Sequence, residues 1–187
     1  MKMNKGLFVI TMLATLFFTS CSEFNNIIKS GDYLYRYEAA KQYYADGKYT
    51  RAVVLLQDVI SVLKGTDKGE ESLYLLGISA YKARDYEAAA NFLKKYYETY
   101  TNGLYTQDAR FYNAMALYKN TPEPKLDQTE TYEAVTAFQN LLEIFPQSIY
   151  AKESQDMIFK LQDKLVEKEY LSAKTYFDLG SYFGNCN

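Results

Sequence analysis

Apolar residues recur along this chain at intervals of three and four, the spacing that places them on one face of an α-helix. Glycine-containing segments around Gly65 and Gly103 interrupt the pattern, as turn formers do between helices. The pattern predicts an all-α fold. The expected helices cover residues 32–46, 49–63, 70–83, 86–100, 105–119, 129–145 and 148–180.

The helical pattern itself repeats every 37 residues. Three sets of residues keep this interval: Ala40, Gly77 and Ala114; Tyr37, Tyr74 and Phe111; and Tyr44, Tyr81 and Tyr118. Ala52 and Ala89 keep it too, and Ala134 follows eight residues late, after an insertion at residues 120–130. A repeat of this length is typical of stacked helical hairpins, because one hairpin cannot bury its apolar face alone.

The second repeat resembles the tetratricopeptide (TPR) pattern, since Leu76-Gly77-x2-Ala80-Tyr81 is followed by an alanine and an apolar residue in the next helix. Small residues are needed where two helices cross closely. A generic amphipathic bundle would share the apolar spacing but not three repeats in register. We therefore predict a TPR-like α-solenoid, with hairpins over about 32–63, 70–100 and 105–145 and an incomplete one at 148–187.

The amino terminus has the features of a bacterial lipoprotein signal peptide. Lys2 and Lys5 precede an apolar run over residues 7–18, and small residues then lead to Cys21. The run is short for a membrane-spanning helix, which needs about 20 residues. We predict a signal peptide over residues 1–20, acylation of Cys21, and a lipidated polar tether over 21–31. A plain signal peptide with an incidental cysteine is the weaker interpretation.

Composition narrows the class of protein. Without residues 1–20 the chain keeps 19 basic and 23 acidic residues, a net charge of −4 with no basic cluster, so nucleic acid is not an expected partner. The chain contains no histidine, which removes the commonest general base and metal ligand. Glu70 with Glu71, or Glu167 with Glu169, could supply the carboxylate pair of a glycoside hydrolase, but charged residues on such helices usually face solvent. Cys186 has no histidine to activate it as a nucleophile. We predict a protein without catalytic residues, metal or cofactor.

The predicted binding surface is the groove lined by the first helix of each hairpin. Aromatic and lysine side chains there suit an extended peptide. For any one of these residues, burial between stacked repeats is about as expected as exposure in the groove. The candidate groove residues are Tyr37, Lys41, Tyr44, Tyr74, Ile78, Tyr81, Lys82, Phe111, Met115 and Tyr118.

Two segments make the resemblance more specific. Phe145-Pro146-Gln147-Ser148-x-Tyr150 and the helix containing Ala173-x2-Tyr176-Phe177-x2-Gly180 resemble the BamD family, the TPR lipoproteins of the outer-membrane β-barrel assembly machinery. The resemblance implies an outer-membrane lipoprotein, anchored on the periplasmic side. It also implies binding to the POTRA region of a BamA-type barrel insertase and to unfolded outer-membrane proteins.

The last hairpin lacks a second helix, so we expect the sequence to be the front part of a longer protein, truncated at its carboxyl end. Its tyrosine-rich composition resembles members of Bacteroidetes type. Two other classes stay open: a periplasmic TPR adaptor of envelope or cell-division coordination, and a SusD-like glycan-binding lipoprotein. The absence of tryptophan speaks against the second.

Overall fold

The computed structural model describes residues 23–184, without the side chains of residues 181–184. The predicted signal peptide, Cys21 and Cys186 lie outside the described residues. All regular structure within the described part is helical. The helices are α1 (23–29), α2 (Tyr33–Ala45), α3 (Tyr49–Val59), α4 (Asp67–Lys82), α5 (Tyr86–Thr99), α6 (Thr106–Asn120), α7 (Thr129–Ile144) and α8 (Ala151–Gly184).

Helices α2 to α7 form three hairpins, α2/α3, α4/α5 and α6/α7, and each hairpin packs on the next. The first helices of successive hairpins contact one another, whereas the second helices pack mainly on first helices. The first helices therefore form the inner side of the stack. Helix α8 packs on α7 and contacts α6, in the position of a further first helix. The predicted TPR-like α-solenoid is confirmed.

The turns inside the first two hairpins have the same conformation. Gly47 has φ 73° and Arg84, 37 residues later, has φ 65°, so both lie in the left-handed region. The next residue in each turn donates a backbone hydrogen bond back into the preceding helix, from Lys48 N to Tyr43 O (2.8 Å) and from Asp85 N to Ala80 O (3.0 Å). Such a left-handed residue lets a helix end and reverse within three residues.

Small residues mark the close helix crossings, as the repeat predicted. A Cβ atom placed on Gly77 would lie 2.6 Å from Leu93 Cγ, so α4 and α5 cross too closely for a side chain there. The alanines of the same repeats are fully buried. They are Ala40, Ala52, Ala89, Ala114 and Ala134.

Residues 23–29 differ from the predicted polar tether because they form a helix that packs on the first hairpin. Ile27 is buried, and Phe24 and Ile28 pack beside it. Spacings of three and four place these three apolar residues on one face of α1. The polar Asn25 and Asn26 that suggested a tether are both exposed on the helix.

Helix α8 is continuous from Ala151 to Gly184, so one long helix occupies the described part of the predicted incomplete hairpin at 148–187. It begins at Ala151 rather than at residue 148 because a turn intervenes, in which Ala151 N donates to Ser148 O. None of the helices in residues 23–184 is both long and apolar enough to cross a bilayer.

Candidate functional site: a tyrosine-lined inner surface

Three of the predicted groove residues belong to the core. Tyr37, Ile78 and Phe111 are only 1%, 3% and 3% exposed. The neighbouring repeat covers each of them, because the first helices that line the inner side also pack against one another. The expectation that these three side chains face a ligand is therefore wrong.

The other predicted groove residues keep some access to solvent. Lys41, Tyr44, Tyr74, Tyr81, Met115 and Tyr118 are half-buried, and Lys82 is exposed. Lys41 is not a free cation, since its Nζ lies 3.2 Å from Glu71 Oε1. The predicted residues that remain available on the inner side are thus mainly tyrosines.

The tyrosines continue from one repeat to the next. The ring of Tyr81 on α4 meets that of Tyr112 on α6 at a centroid distance of 5.2 Å, and Tyr112 meets Tyr150 at 6.3 Å. Tyr44 on α2 continues this row into the first hairpin, where burial, followed by the nearby Tyr49 and Tyr112, raises the pKa of its hydroxyl. We call Tyr44, Tyr74, Tyr81, Tyr112 and Tyr150 the tyrosine surface. It spans all three hairpins and reaches the start of α8.

A repeated ring contact orders this surface. Tyr105 stacks on Tyr74 with centroids 4.3 Å apart and planes 5° from parallel, and Tyr150 stacks on Phe111 at 4.0 Å and 7°. At the corresponding place in the first repeat, Lys68 Nζ lies 5.5 Å from the centre of the Tyr37 ring. Each aromatic residue of the 37-residue series is therefore covered by a residue from just before or within the first turn of the next first helix.

Carboxylates accept hydrogen bonds from the tyrosines. Asp108 accepts from Tyr150 Oη at 2.9 Å, and Glu71 accepts from Tyr37 Oη. Burial, followed by these hydrogen bonds, raises the pKa of Tyr37 and Tyr150 well above the ordinary tyrosine value. The hydroxyls therefore stay protonated and act as neutral donors. Asp108 and Glu153 lie beside the tyrosine surface. Burial is the main cause that raises the pKa of Tyr112, and these two carboxylates raise it further.

Glu70 and Glu71, one of the two carboxylate pairs considered for hydrolysis, have structural partners instead. Glu70 Oε1 accepts from Tyr96 Oη at 2.6 Å and from Leu104 N at 2.8 Å, at the turn between α5 and α6. Glu71 is bound to Lys41 and Tyr37 as described above. In residues 23–184 no group of three or more acidic or cysteine side chains is arranged to hold a metal ion.

A cleft of ≈ 540 Å³ lies among α5, α6 and α7, and none of the tyrosine-surface residues lines it. Asn91, Asn113, Tyr132 and Asn140 contribute amide and hydroxyl groups to it. It lies between two neighbouring hairpins, whereas the tyrosine surface runs across three. We regard the tyrosine surface as the candidate site because an extended ligand can contact every repeat along it.

Sequence reasoning missed Tyr105, Tyr112, Tyr150, Asp108 and Glu153. Tyr105 and Tyr150 could have been found from the sequence, because each follows a large apolar residue and stands directly before a helix. The two pairs are Leu104-Tyr105 before α6 and Ile149-Tyr150 before α8. Tyr112 had none, since Leu75 stands 37 residues before it. Its inner position follows only from how α6 packs against α4.

The helical hairpins and their repeated inner contacts define this chain as a TPR-like repeat protein. Two solved crystal structures of the TPR-like repeats of a Podosopora anserina kinesin light chain share this fold. The first, of a variant with a single substitution, gives a TM-score of 0.52 and the second 0.50, both at 16% identity. The matches cover 77% and 76% of this chain and 76% of each of those chains.

A more specific relationship is found in sequence. Residues 32–187 match the sequence profile of the YfiO family, which is described as outer membrane lipoprotein. The chain therefore belongs to this family. An Aquifex aeolicus (strain VF5) protein described as outer membrane protein assembly factor BamD is 26% identical over 171 residues. The match covers 90% of this chain and 56% of that relative, so the chain spans little more than half of the relative's length.

Proposed function

We propose that this protein is a non-catalytic, lipid-anchored adaptor in outer-membrane protein assembly. In this proposal Cys21 carries the acyl chains, and the helical repeats stand on the periplasmic side of the outer membrane. The adaptor binds unfolded outer-membrane proteins along the tyrosine surface and a BamA-type barrel insertase elsewhere on the repeats. Family membership and the name of the Aquifex relative support this role.

The tyrosine surface is the observation that carries the substrate half of the proposal. Tyrosine combines an apolar ring with a hydroxyl donor, and it loses little side-chain entropy when it makes a contact. A row of such side chains across three repeats suits an extended chain that presents both backbone groups and aromatic side chains. Asp108 and Glu153 add acceptors for the ligand's backbone N–H groups.

The proposal is tested by measuring binding of a short peptide that ends in phenylalanine, as a probe for an unfolded barrel segment. We expect the double variant Tyr81→Ala/Tyr112→Ala to bind it tens-fold more weakly, because aromatic anchors commonly contribute about 2 kcal/mol or more at a hot spot. Tyr132→Ala is the matched control, since this tyrosine is 57% exposed but lines the cleft between α5 and α7.

Folding is checked first by thermal melting, because Tyr81 and Tyr112 also pack against the buried cluster that contains Leu93 and Tyr96. The variants Tyr81→Phe and Tyr112→Phe keep the rings and separate packing from hydroxyl donation. A folded double alanine variant with unchanged affinity would exclude the tyrosine surface as the peptide site. Recovery of the insertase with the full chain after crosslinking in envelopes tests the other half of the proposal.

A further inference from the structure

Contacts at both ends of α1 fix its direction. Near its amino end, the Phe24 ring meets the Tyr43 ring edge-on at a centroid distance of 5.5 Å, and the Arg51 guanidinium lies 5.2 Å from the Phe24 ring centre. Near its carboxyl end, Arg36 Nη2 donates to Ile28 O. Tyr43 lies near the end of α2 and Arg36 near its beginning, so α1 runs antiparallel to α2.

The helix α1 is also held firmly in place. Ile27 is only 4% exposed and belongs to the same buried cluster as Tyr37 of α2 and Leu56 of α3. The same Arg36 that binds α1 also donates from Nη1 to Asp58 Oδ2 at 3.2 Å, which connects it to α3. The amino end of α1 therefore has a defined place, beside the turn that joins α2 to α3.

This turn shares one edge of the stack with the corresponding turns of the other hairpins. Lys68 and Glu71 near the start of α4 meet Tyr37 and Lys41 of α2 in the same order along the chain. Tyr74 and Tyr81 of α4 likewise meet Tyr105 and then Tyr112 of the third hairpin, so the first helices run in the same direction. The turns α2–α3, α4–α5 and α6–α7 consequently lie together, and we call this side the turn edge.

We infer that the turn edge faces the lipid headgroups of the membrane in which the protein is anchored. The inference rests on the proposed anchor at Cys21. Residue 23 lies two residue steps beyond Cys21, and an extended chain covers at most about 7 Å over two steps. The membrane surface must therefore lie within this distance of the amino end of α1, and hence beside the α2–α3 turn.

The chemistry of the turn edge fits a headgroup layer. Each turn carries both charges: Lys48 lies 3.0 Å from Asp46, Arg84 is next to Asp85, and Lys125 is near Asp127. The turn edge exposes one large apolar side chain, Leu126 (57%), among its described residues. The opposite edge exposes more of them and would compete for the lipid if the anchor did not hold it away. Its exposed residues are Leu34 (49%), Leu104 (83%) and Ile149 (82%).

Single tryptophan variants test this orientation, because the chain contains no tryptophan of its own. Ala45→Trp and Leu34→Trp place the probe at the two ends of α2, both at exposed positions. The full acylated chain is reconstituted in phosphatidylcholine vesicles that contain headgroup spin-labelled lipid. We expect quenching at position 45 to be about twice that at position 34 or more, because about 16 Å of helix separates the two.

The Leu104→Trp variant, on another repeat of the opposite edge, should be quenched as little as the variant at position 34. Equal quenching at the two ends of α2, or stronger quenching at position 34 or 104, would overturn the inference. Vesicle flotation of the wild-type and Cys21→Ala chains separates the two proposals. If the wild type does not float, the anchor and the inference both fall; if it floats with the wrong quenching pattern, only the inference falls.

Discussion

Single glycines decide how closely the helices of this protein approach. A Cβ atom on Gly69 would lie 2.0 Å from the backbone oxygen of Leu63, and one on Gly77 would lie 2.6 Å from the side chain of Leu93. A Cβ atom on Gly180, in α8, would meet nothing within 4 Å. The three positions thus differ in what must move to accept a methyl group.

We expect Gly77→Ala to lower the free energy of unfolding, because overpacking costs about 1–3 kcal/mol while the helix gains about 1 kcal/mol from alanine. Gly69→Ala should lower it further, since a backbone carbonyl yields less readily than a leucine side chain. Gly180→Ala should raise it by about 0.5–1 kcal/mol. Urea unfolding midpoints measure this order, and a Gly77→Ala variant more stable than the wild type would contradict it.

The sequence predicted Gly77 but not Gly69, for a physical reason. Gly77 belongs to the 37-residue series, so its close crossing is repeated in the pattern. Gly69 approaches Leu63 through the irregular path of residues 60–66, and such a path is set by tertiary packing rather than by apolar spacing. Burial of Tyr37, Ile78 and Phe111 was likewise not decided by the pattern, because stacking and groove residues share the same helical spacing.

At the scale of elements, the insertion between α6 and α7 is tied to α8. Lys164 Nζ donates to Thr121 Oγ1 at 2.6 Å and to Pro122 O at 3.1 Å, and Lys168 Nζ donates to Lys125 O at 3.0 Å. These bonds hold residues 121–125 against a helix that begins only after the whole of α7 has intervened. They compensate for a loop whose prolines prevent helix formation.

Replacing Lys164 by methionine removes the charged donor but keeps the apolar stem of the side chain. We expect this change to release the loop at residues 121–125. We expect a loss of about 1–2 kcal/mol in stability, since hydrogen bonds to charged groups are worth about 1.5–3 kcal/mol each and water replaces part of them. Amide hydrogen exchange in residues 121–128 should accelerate. Lys160→Met, an exposed position one turn earlier, is the control, and equal exchange in both variants would show that Lys164 does not hold the loop.

Helix type and order could be read from the sequence because long, strongly periodic segments report their buried face directly. The short helix α1 could not, since its three apolar residues make only two turns and polar asparagines separate them. The inner position of Tyr112 depends on the angle at which α6 crosses α4. That angle is a property of the assembled stack and of no single element.

For the molecule as a whole, buried tyrosines make stability depend on alkaline pH. Burial is the main cause that raises the pKa of Tyr74, Tyr96 and Tyr150 above the ordinary value of about 10. The unfolded chain therefore releases these protons at lower pH than the folded chain does. The stabilisation that these protonated tyrosines give the folded state is complete below a pH of about 10. It is lost as the pH rises through their folded-state pKa values.

We expect the free energy of unfolding to fall steadily as the pH rises above about 10, the ordinary tyrosine pKa. Tyr150→Phe should make the decline shallower, because it removes one of the raised groups. Urea titrations across this pH range measure the slope, and identical slopes for Tyr150→Phe and the wild type would contradict the assignment.

The stacked pairs Tyr74–Tyr105 and Phe111–Tyr150 have a mechanical consequence. Rings that lie within 5° and 7° of parallel can slide across one another while most of their contact area is kept, but any separation loses it at once. At these two contacts, small sliding movements between neighbouring repeats therefore cost less than opening does. We expect any change in the curvature of the stack to keep both ring pairs in contact.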